Sequence, residues 1–323
     1  MNFDLDEGQR EFAEMAGKFY AANAGPQKAR EMFDSGGQHA PGLKPIAELG
    51  FYGIVVPESA GGIGQSVLDA AVVAEQAGRH LAAPSMVTAV RAAKLLAGHE
   101  DLLTALADGS NAFAVLDDGI AIDGAWADRF IALQDGKVVI GTGTVADDAP
   151  IDPTRGLARV TLGDTERLNA TAQDFQSARL AAMVTLAAED LGTAARALEI
   201  GLEYANLREA FGRKIGSYQA IKHRLVDVYV GVEQLRSLVW WAAWTVDHSP
   251  EELPLAASAA KAQAAQTVEF AAETLIQVHG GIGYTWEHDA HLYWRRAKVD
   301  RLLFGDADTH FDAVTRLSMA ALA

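Results

Sequence analysis

Leu5, Phe12, Met15 and Phe19 lie seven, three and four positions apart, the spacing that keeps apolar side chains on one helix face. Asp4, just before them, reads as the N-cap. Ala24-Gly25-Pro26 breaks the pattern, and helical spacing returns over Leu43–Leu49 and Val67–Ala77. Between these lie Gly50-Phe51-Tyr52-Gly53-Ile54-Val55-Val56-Pro57-Glu58 and a glycine-rich loop, Gly61-Gly62-Ile63-Gly64. Near Asn111 the texture changes. Ala112–Leu116, Arg129–Leu133, Lys137–Gly141 and Leu157–Leu162 are short, often β-branched runs, and Asp135-Gly136 between two of them is a two-residue hairpin signal. From Asp174 onward the period is helical again. Leu191, Ala195, Leu198 and Leu202 share a face, and further helices are expected over Ser217–Asp247 and Pro254–Val278. A Gly-Gly break then precedes helices starting near Trp286 and Asp308. The pattern predicts a mainly α protein with a small β domain: a helical unit over 1–108, a short β unit over 109–172, and a C-terminal helical bundle over 173–323.

Composition narrows the functions available. The chain has 323 residues, half of them hydrophobic, and a formal charge of −16. That charge disfavours nucleic acid and anionic membrane surfaces as partners, and no apolar run reaches the length of a membrane span. The start, Met1-Asn2-Phe3-Asp4, has no basic and apolar leader pattern, so a cytoplasmic protein is expected. Cysteine is absent, which removes disulfides, thiolate nucleophiles and cysteine-ligated metal sites.

Two motifs carry candidate chemistry. The first is Tyr204-Ala205-Asn206-Leu207-Arg208-Glu209-Ala210-Phe211-Gly212-Arg213-Lys214-Ile215-Gly216, followed by Gln219. A guanidinium beside an aromatic ring at a helix end suits a nucleotide's pyrophosphate and base. An ordinary helix C-cap with surface charge would look similar. The second is Gln277-Val278-His279-Gly280-Gly281-Ile282-Gly283-Tyr284-Thr285-Trp286-Glu287-His288-Asp289. Its glycines allow close backbone approach to a ligand, but they follow a helix, so this is not a Rossmann fingerprint. Taken together, in this order, the motifs resemble the C-terminal domain of acyl-CoA dehydrogenases. The continuation through His291-Leu292-Tyr293 and Arg295-Arg296-Ala297-Lys298 also resembles that family, as do the segments Leu49–Glu58 and Gly61–Gly64.

The resemblance implies an FAD enzyme acting on acyl-CoA thioesters, in which a carboxylate removes the α-proton and each FAD is shared across a subunit interface. By resemblance, Arg208, Phe211, Gln219, Gln277, Gly280 and Gly281 reach into the neighbouring subunit's cofactor site. The sequence departs from the family at the base. Six residues after the Ala297-Lys298 pair, where the family has glutamate, stands Phe304, and the alternative base position falls on Ala182, beside Met183. Glu189 and Asp190, about two turns later, read as helix surface. Asp306 and Asp308 are the nearest carboxylates. They are either a relocated base or, more simply, an N-cap and a first-turn acid. The family's flavin-contact segment has no recognisable counterpart between Asn111 and Ala172. The resemblance therefore implies the base-less subunit of an α2β2 enzyme whose partner is a full-length acyl-CoA dehydrogenase paralogue, with a steroid side-chain CoA ester as the implied substrate. A self-sufficient homo-oligomer using Asp306 or Asp308, or a non-catalytic scaffold, are the alternatives. His288 and His291, with Glu287 and Asp289 nearby, suggest metal ligation only weakly, and no metal is expected.

Overall fold

The computed structural model describes residues 4–37, 42–146 and 149–322. Residues 1–3, on which the reading of the chain's start rests, and residues 147–148 of the expected β unit lie outside the described residues.

Six helices form the N-terminal part: α1 (Glu7–Asn23), α2 (Pro26–Asp34), α3 (Lys44–Glu48), α4 (Val67–Arg79), α5 (Met86–Leu95) and α6 (Glu100–Ala107). The N-cap of α1 is Asp6, not Asp4. Its carboxylate accepts from the Gln9 amide at 2.9 Å while the Gln9 side chain accepts from the Asp6 amide at 3.1 Å. Asp4 has Glu7 at the same offset, so the box spacing fits both aspartates and the sequence pattern alone does not choose between them.

The β unit is one sheet built from β1 (Phe113–Val115), β2 (Ile120–Ala121), β3 (Arg129–Gln134), β4 (Lys137–Val145) and β5 (Ala158–Arg167), in the order β1-β3-β4-β5-β2. β1 and β3 are parallel, and the other pairs are antiparallel. Asp135 and Gly136 turn β3 into β4 with φ of 48° and 75°, the left-handed pair a tight hairpin requires. Side chains alternate between two cores, as the period of two dictates. Phe113, Val115, Ile131, Val138 and Ile140 join the main helical core, while Ala114, Leu116, Phe130, Ala132 and Val139 form a second cluster on the other face. The two-residue β2 escaped the sequence reading because it carries too few positions to show a pattern.

The C-terminal part comprises α7 (Ala172–Leu207), β6 (Glu209–Ala210), β7 (Arg213–Lys214), α8 (Gln219–His248), α9 (Leu253–His279), α10 (Ala290–Asp300) and α11 (Ala307–Ala321). Helices α7, α8, α9 and α11 pack as a bundle, and α7 also packs on α4 and α5. A Cβ on Gly78 would sit 1.8 Å from the Glu189 carbonyl oxygen, and one on Gly192 equally close to that of Glu75. Helices α4 and α7 therefore cross in backbone contact, which only glycine permits. Leu191 and Leu198 are buried as expected, but Leu202 is exposed, because nothing described covers the last turns of that face. α10 begins at Ala290 rather than near Trp286 because the preceding residues are held by α2: Trp286 packs edge-on against Phe33, and Asp289 pairs with Arg30 at 2.7 Å. No helix among the described residues is long and apolar enough to cross a membrane.

Candidate functional site

A buried ionic node joins all three parts of the chain. Arg155, from the turn before β5, is fully buried. Its guanidinium grips Asp300 at the end of α10, with Nε to Oδ1 at 2.7 Å, and also donates to Glu189 on α7. The Glu189 carboxylate accepts from the Ser85 hydroxyl at 2.8 Å and the Met86 amide at 2.9 Å, at the start of α5. Asp123, also fully buried, accepts from the Ser85 amide at 3.1 Å, and burial pushes its carboxyl up to about 7. Glu189 and Asp190 are thus core groups, not helix surface. The glycine crossing draws that face of α7 against α4 and removes it from water. Neither Asp190 oxygen has a described partner, and burial together with the nearby Asp300 carboxylate holds the group in its protonated form to well above the usual range.

Above this node lies a cleft of about 460 Å³, walled by α5, the sheet, α7 and the turn before α11. Its lining is mainly apolar: Val87, Val115, Ile120, Ile122, Leu157 and Leu303. Phe304 stands in it with φ of 63°. Ala182 belongs to the same apolar cluster as Val87, Ile122, Leu186 and Phe304. The two positions marked by the sequence as base sites therefore fall in one apolar cluster, Phe304 lining the cleft and Ala182 buried behind its wall, and neither carries a proton acceptor. Two cations close on the ring: the Arg91 guanidinium lies 5.5 Å from its centre and that of Arg179 5.3 Å. Arg91 is tied to Asp117 by two hydrogen bonds, at 2.6 and 2.8 Å. The sequence reading did not single out Arg91, Asp117 or Arg179. The available signal was a lone arginine in the apolar run Val90-Arg91-Ala92-Ala93.

Asp306 and Asp308 do not line the cleft. Asp306 is the N-cap of α11, accepting from the Thr309 amide at 2.9 Å and its hydroxyl at 2.6 Å, and these bonds hold its carboxyl below the usual range. Asp308 is an exposed first-turn acid, placed to favour the helix dipole.

The other motif residues form an exposed ledge at one end of the bundle. Arg208 caps α7, and β6 and β7 make a hairpin whose turn is Phe211-Gly212, with φ of 51° and 77°. The Phe211 ring is 97% exposed. A left-handed phenylalanine costs roughly 1–2 kcal/mol, and its ring gains nothing here from packing within this chain. Gln219 begins α8, Gln277 lies in the last turn of α9, and Gly280 and Gly281 follow that helix; all face solvent. Gly280 has φ of 64°, and a Cβ on it or on Gly281 would meet nothing within 4 Å. The two motifs are brought side by side by the Tyr204 ring against His279, which in turn meets His288, each pair tilted with centroids 4.1 Å apart. The side chains of Arg208, Gln219 and Gln277 make no hydrogen bond to any described residue. His288 is engaged in that stack and accepts from the Ala290 amide, whereas His291 lies edge-on to Trp286, and burial pushes it down to about 4. Among the described residues no three histidine, aspartate or glutamate side chains gather as a metal-holding group.

Comparison with known proteins gives concordant matches. A family model described as acyl-CoA dehydrogenase, N-terminal domain, matches residues 6–102, and one described as acyl-CoA dehydrogenase, C-terminal domain, matches residues 170–319. Acyl-CoA dehydrogenase IpdE2 of Mycobacterium tuberculosis is 38% identical over 299 residues, covering 90% of this chain and 91% of that protein. Among solved structures, the ChsE4-ChsE5 complex from Mycobacterium tuberculosis aligns with a TM-score of 0.86 at 24% identity, over 98% of this chain and 98% of the other. A structure described as the Tcur3481-Tcur3483 steroid ACAD aligns with a TM-score of 0.84 at 22% identity, over 98% of this chain and 99% of the other. These two structural likenesses concern the fold.

Proposed function

The chain belongs to the acyl-CoA dehydrogenase family, and on that premise we propose that it is the base-less subunit of a heteromeric acyl-CoA dehydrogenase. It presents its ledge to a cofactor housed mainly by a full-length paralogue, in an α2β2 assembly. The observation that carries this reading is an asymmetry within one chain. The ledge residues are solvent-facing and unsatisfied, while the expected base position is a phenyl ring with two guanidiniums 5.3 and 5.5 Å from its centre.

FAD, when bound, supplies acceptance of a hydride from the acyl β-carbon. The ledge fits such a group. Arg208 offers a planar, permanently charged fork to a pyrophosphate. Phe211 offers an uncovered aromatic face to a base, Gln219 and Gln277 offer carboxamides, and Gly280 and Gly281 leave the backbone open to close approach. The cleft fits the chemistry less well. Phe304 and Ala182 cannot take the α-proton of a thioester, and two carboxylates line the cleft: Asp117, paired with Arg91, and the exposed Asp118, which no described cation pairs. On this reading the proton passes to a carboxylate of the partner, and this chain contributes binding and electrostatics; Asp118→Asn in the assembled complex, with turnover kept within about tenfold, separates it from a base within this chain. A steroid side-chain CoA ester is the substrate class favoured by the structural likeness to a steroid enzyme of this fold.

The test is flavin content. The chain expressed alone should carry little flavin, whereas co-expression with the right acyl-CoA dehydrogenase paralogue from its own genome should yield a yellow complex. In that complex Arg208→Ala should weaken FAD roughly ten- to hundredfold, the equivalent of the 1.5–3 kcal/mol typical of a hydrogen bond to a charged group. Stoichiometric flavin in the lone chain, or unchanged FAD affinity in a well-assembled Arg208→Ala complex, would overturn the reading.

A further inference from the structure

We propose that Tyr218 is the positioning residue of the ledge, the side chain that holds the Phe211-Gly212 turn in its exposed, left-handed shape. The proposal rests on the reading of the ledge as the cofactor-facing surface and deepens it.

The hairpin has little else to keep it in place. It is two residues long on each side, pairing Glu209 with Lys214 and Ala210 with Arg213, and so short a ribbon is marginal in water on its own. Its turn carries a non-glycine residue at positive φ, which favours opening. Its base is fixed: the Ile215 amide donates to the Arg208 carbonyl at 2.9 Å, and Gly216 packs so close to α7 that a Cβ would lie 2.9 Å from the Ala205 carbonyl oxygen. Nearer the base, the Ser217 hydroxyl donates to the Lys214 carbonyl at 2.7 Å; among the described residues one side chain braces the pair next to the tip. From the residue that precedes α8, the Tyr218 hydroxyl donates to the Ala210 carbonyl at 2.9 Å, on the first strand. The Arg213 guanidinium, on the second strand, lies 3.9 Å from the centre of the Tyr218 ring. One half-buried side chain therefore ties both strands to the bundle, by a hydrogen bond on one and a cation–π contact on the other. Without it the turn is free to leave the one conformation in which Phe211 stands proud of the surface, and the ordering would have to be supplied at the moment a cofactor binds.

The experiment uses two variants and two readouts. Trypsin cuts after Arg208, Arg213 and Lys214, so its rate at those bonds in the lone chain reports opening of the hairpin. Tyr218→Phe removes only the hydroxyl and should accelerate cleavage there by about two- to tenfold, the equivalent of one net hydrogen bond. Tyr218→Leu removes the ring as well and should accelerate it further. Cleavage elsewhere, and the circular dichroism melt, should not change in either variant. In the assembled complex both variants should weaken FAD in the same order. Unchanged cleavage in both variants overturns the positioning role. Faster cleavage with unchanged FAD affinity overturns the cofactor-facing reading on which the proposal rests.

Discussion

The Arg179 guanidinium donates to the Phe304 carbonyl oxygen at 3.0 Å and lies 5.3 Å from the centre of that residue's own ring. One side chain thereby pins both the backbone and the side chain of a residue held in a left-handed conformation. Arg91 approaches the same ring and is itself buried and paired with Asp117. The position at which the sequence led us to expect the base is thus an organised aromatic site.

Restoring glutamate at that position should not restore chemistry. In Phe304→Glu the carboxylate would stand between Arg91 and Arg179, and paired cations favour the charged form of an acid, which makes it a weaker base. The expected outcome is a folded lone chain whose flavin, if supplied, is not bleached by acyl-CoA. Anaerobic absorbance on substrate addition checks this. Bleaching would mean that the cleft is a competent active site lacking only its acid.

Asp306 and Asp308 should prove dispensable for turnover. Asn at 306 keeps an oxygen to accept from Thr309, so the cap of α11 survives. Turnover of the assembled enzyme should stay within about tenfold in both Asp→Asn variants, whereas losing a general base costs 10²–10⁴. Steady-state rates normalised to flavin content decide the point, and a fall beyond that range would identify a relocated base.

Glu189 should matter for stability instead. Ala at this position leaves Arg155 with Asp300 as its one carboxylate partner among the described residues and strips the acceptor from Ser85 and Met86. Breaking a buried ion pair by removing one partner costs about 3–5 kcal/mol. Glu189→Gln keeps an acceptor and should cost less. Urea unfolding of the three proteins gives the order, and a loss below about 1 kcal/mol in the alanine variant would mean that the node is hydrated and not structural.

Asp123 should make stability depend on pH. Burial raises its carboxyl to about 7, while an unfolded aspartate titrates near 3.9. The folded state therefore binds the proton more tightly. This group's contribution is greatest below about pH 4 and declines as pH rises to about 7, by at most about 1.4 kcal/mol per pH unit. Asparagine tolerates the positive φ of 57° found there and retains an acceptor for the Ser85 amide. Asp123→Asn should gain on the native protein between pH 5 and pH 7 in denaturant titrations. A difference flat across that range would contradict the raised value.

Local pattern was enough for much of the architecture. The apolar period of α7, the alternation in β3 and β4, the Asp135-Gly136 turn and the α11 cap at Asp306 each depend on residues a few positions apart, and those are legible along the chain. The two expected base positions, Phe304 and Ala182, were assigned by counting along motifs. Burial was not legible in the same way. Glu189 and Asp190 carry polar side chains on an alanine-rich helix, and only the packing of α4, α5, α9, α10 and the turn before β5 around α7 takes them out of water. The partners of Arg155 are 34 and 145 residues away, and Arg91, Asp117 and Arg179 meet at Phe304 from three separate elements. Sequence alone therefore determined most of the helices, the longer strands, the motifs and the residues that stand at the two expected base positions, because those are local. Which charges are buried, which cations hold the base position and which ledge residues remain uncovered was decided by tertiary packing, because desolvation and ion pairing depend on neighbours that the chain order does not name.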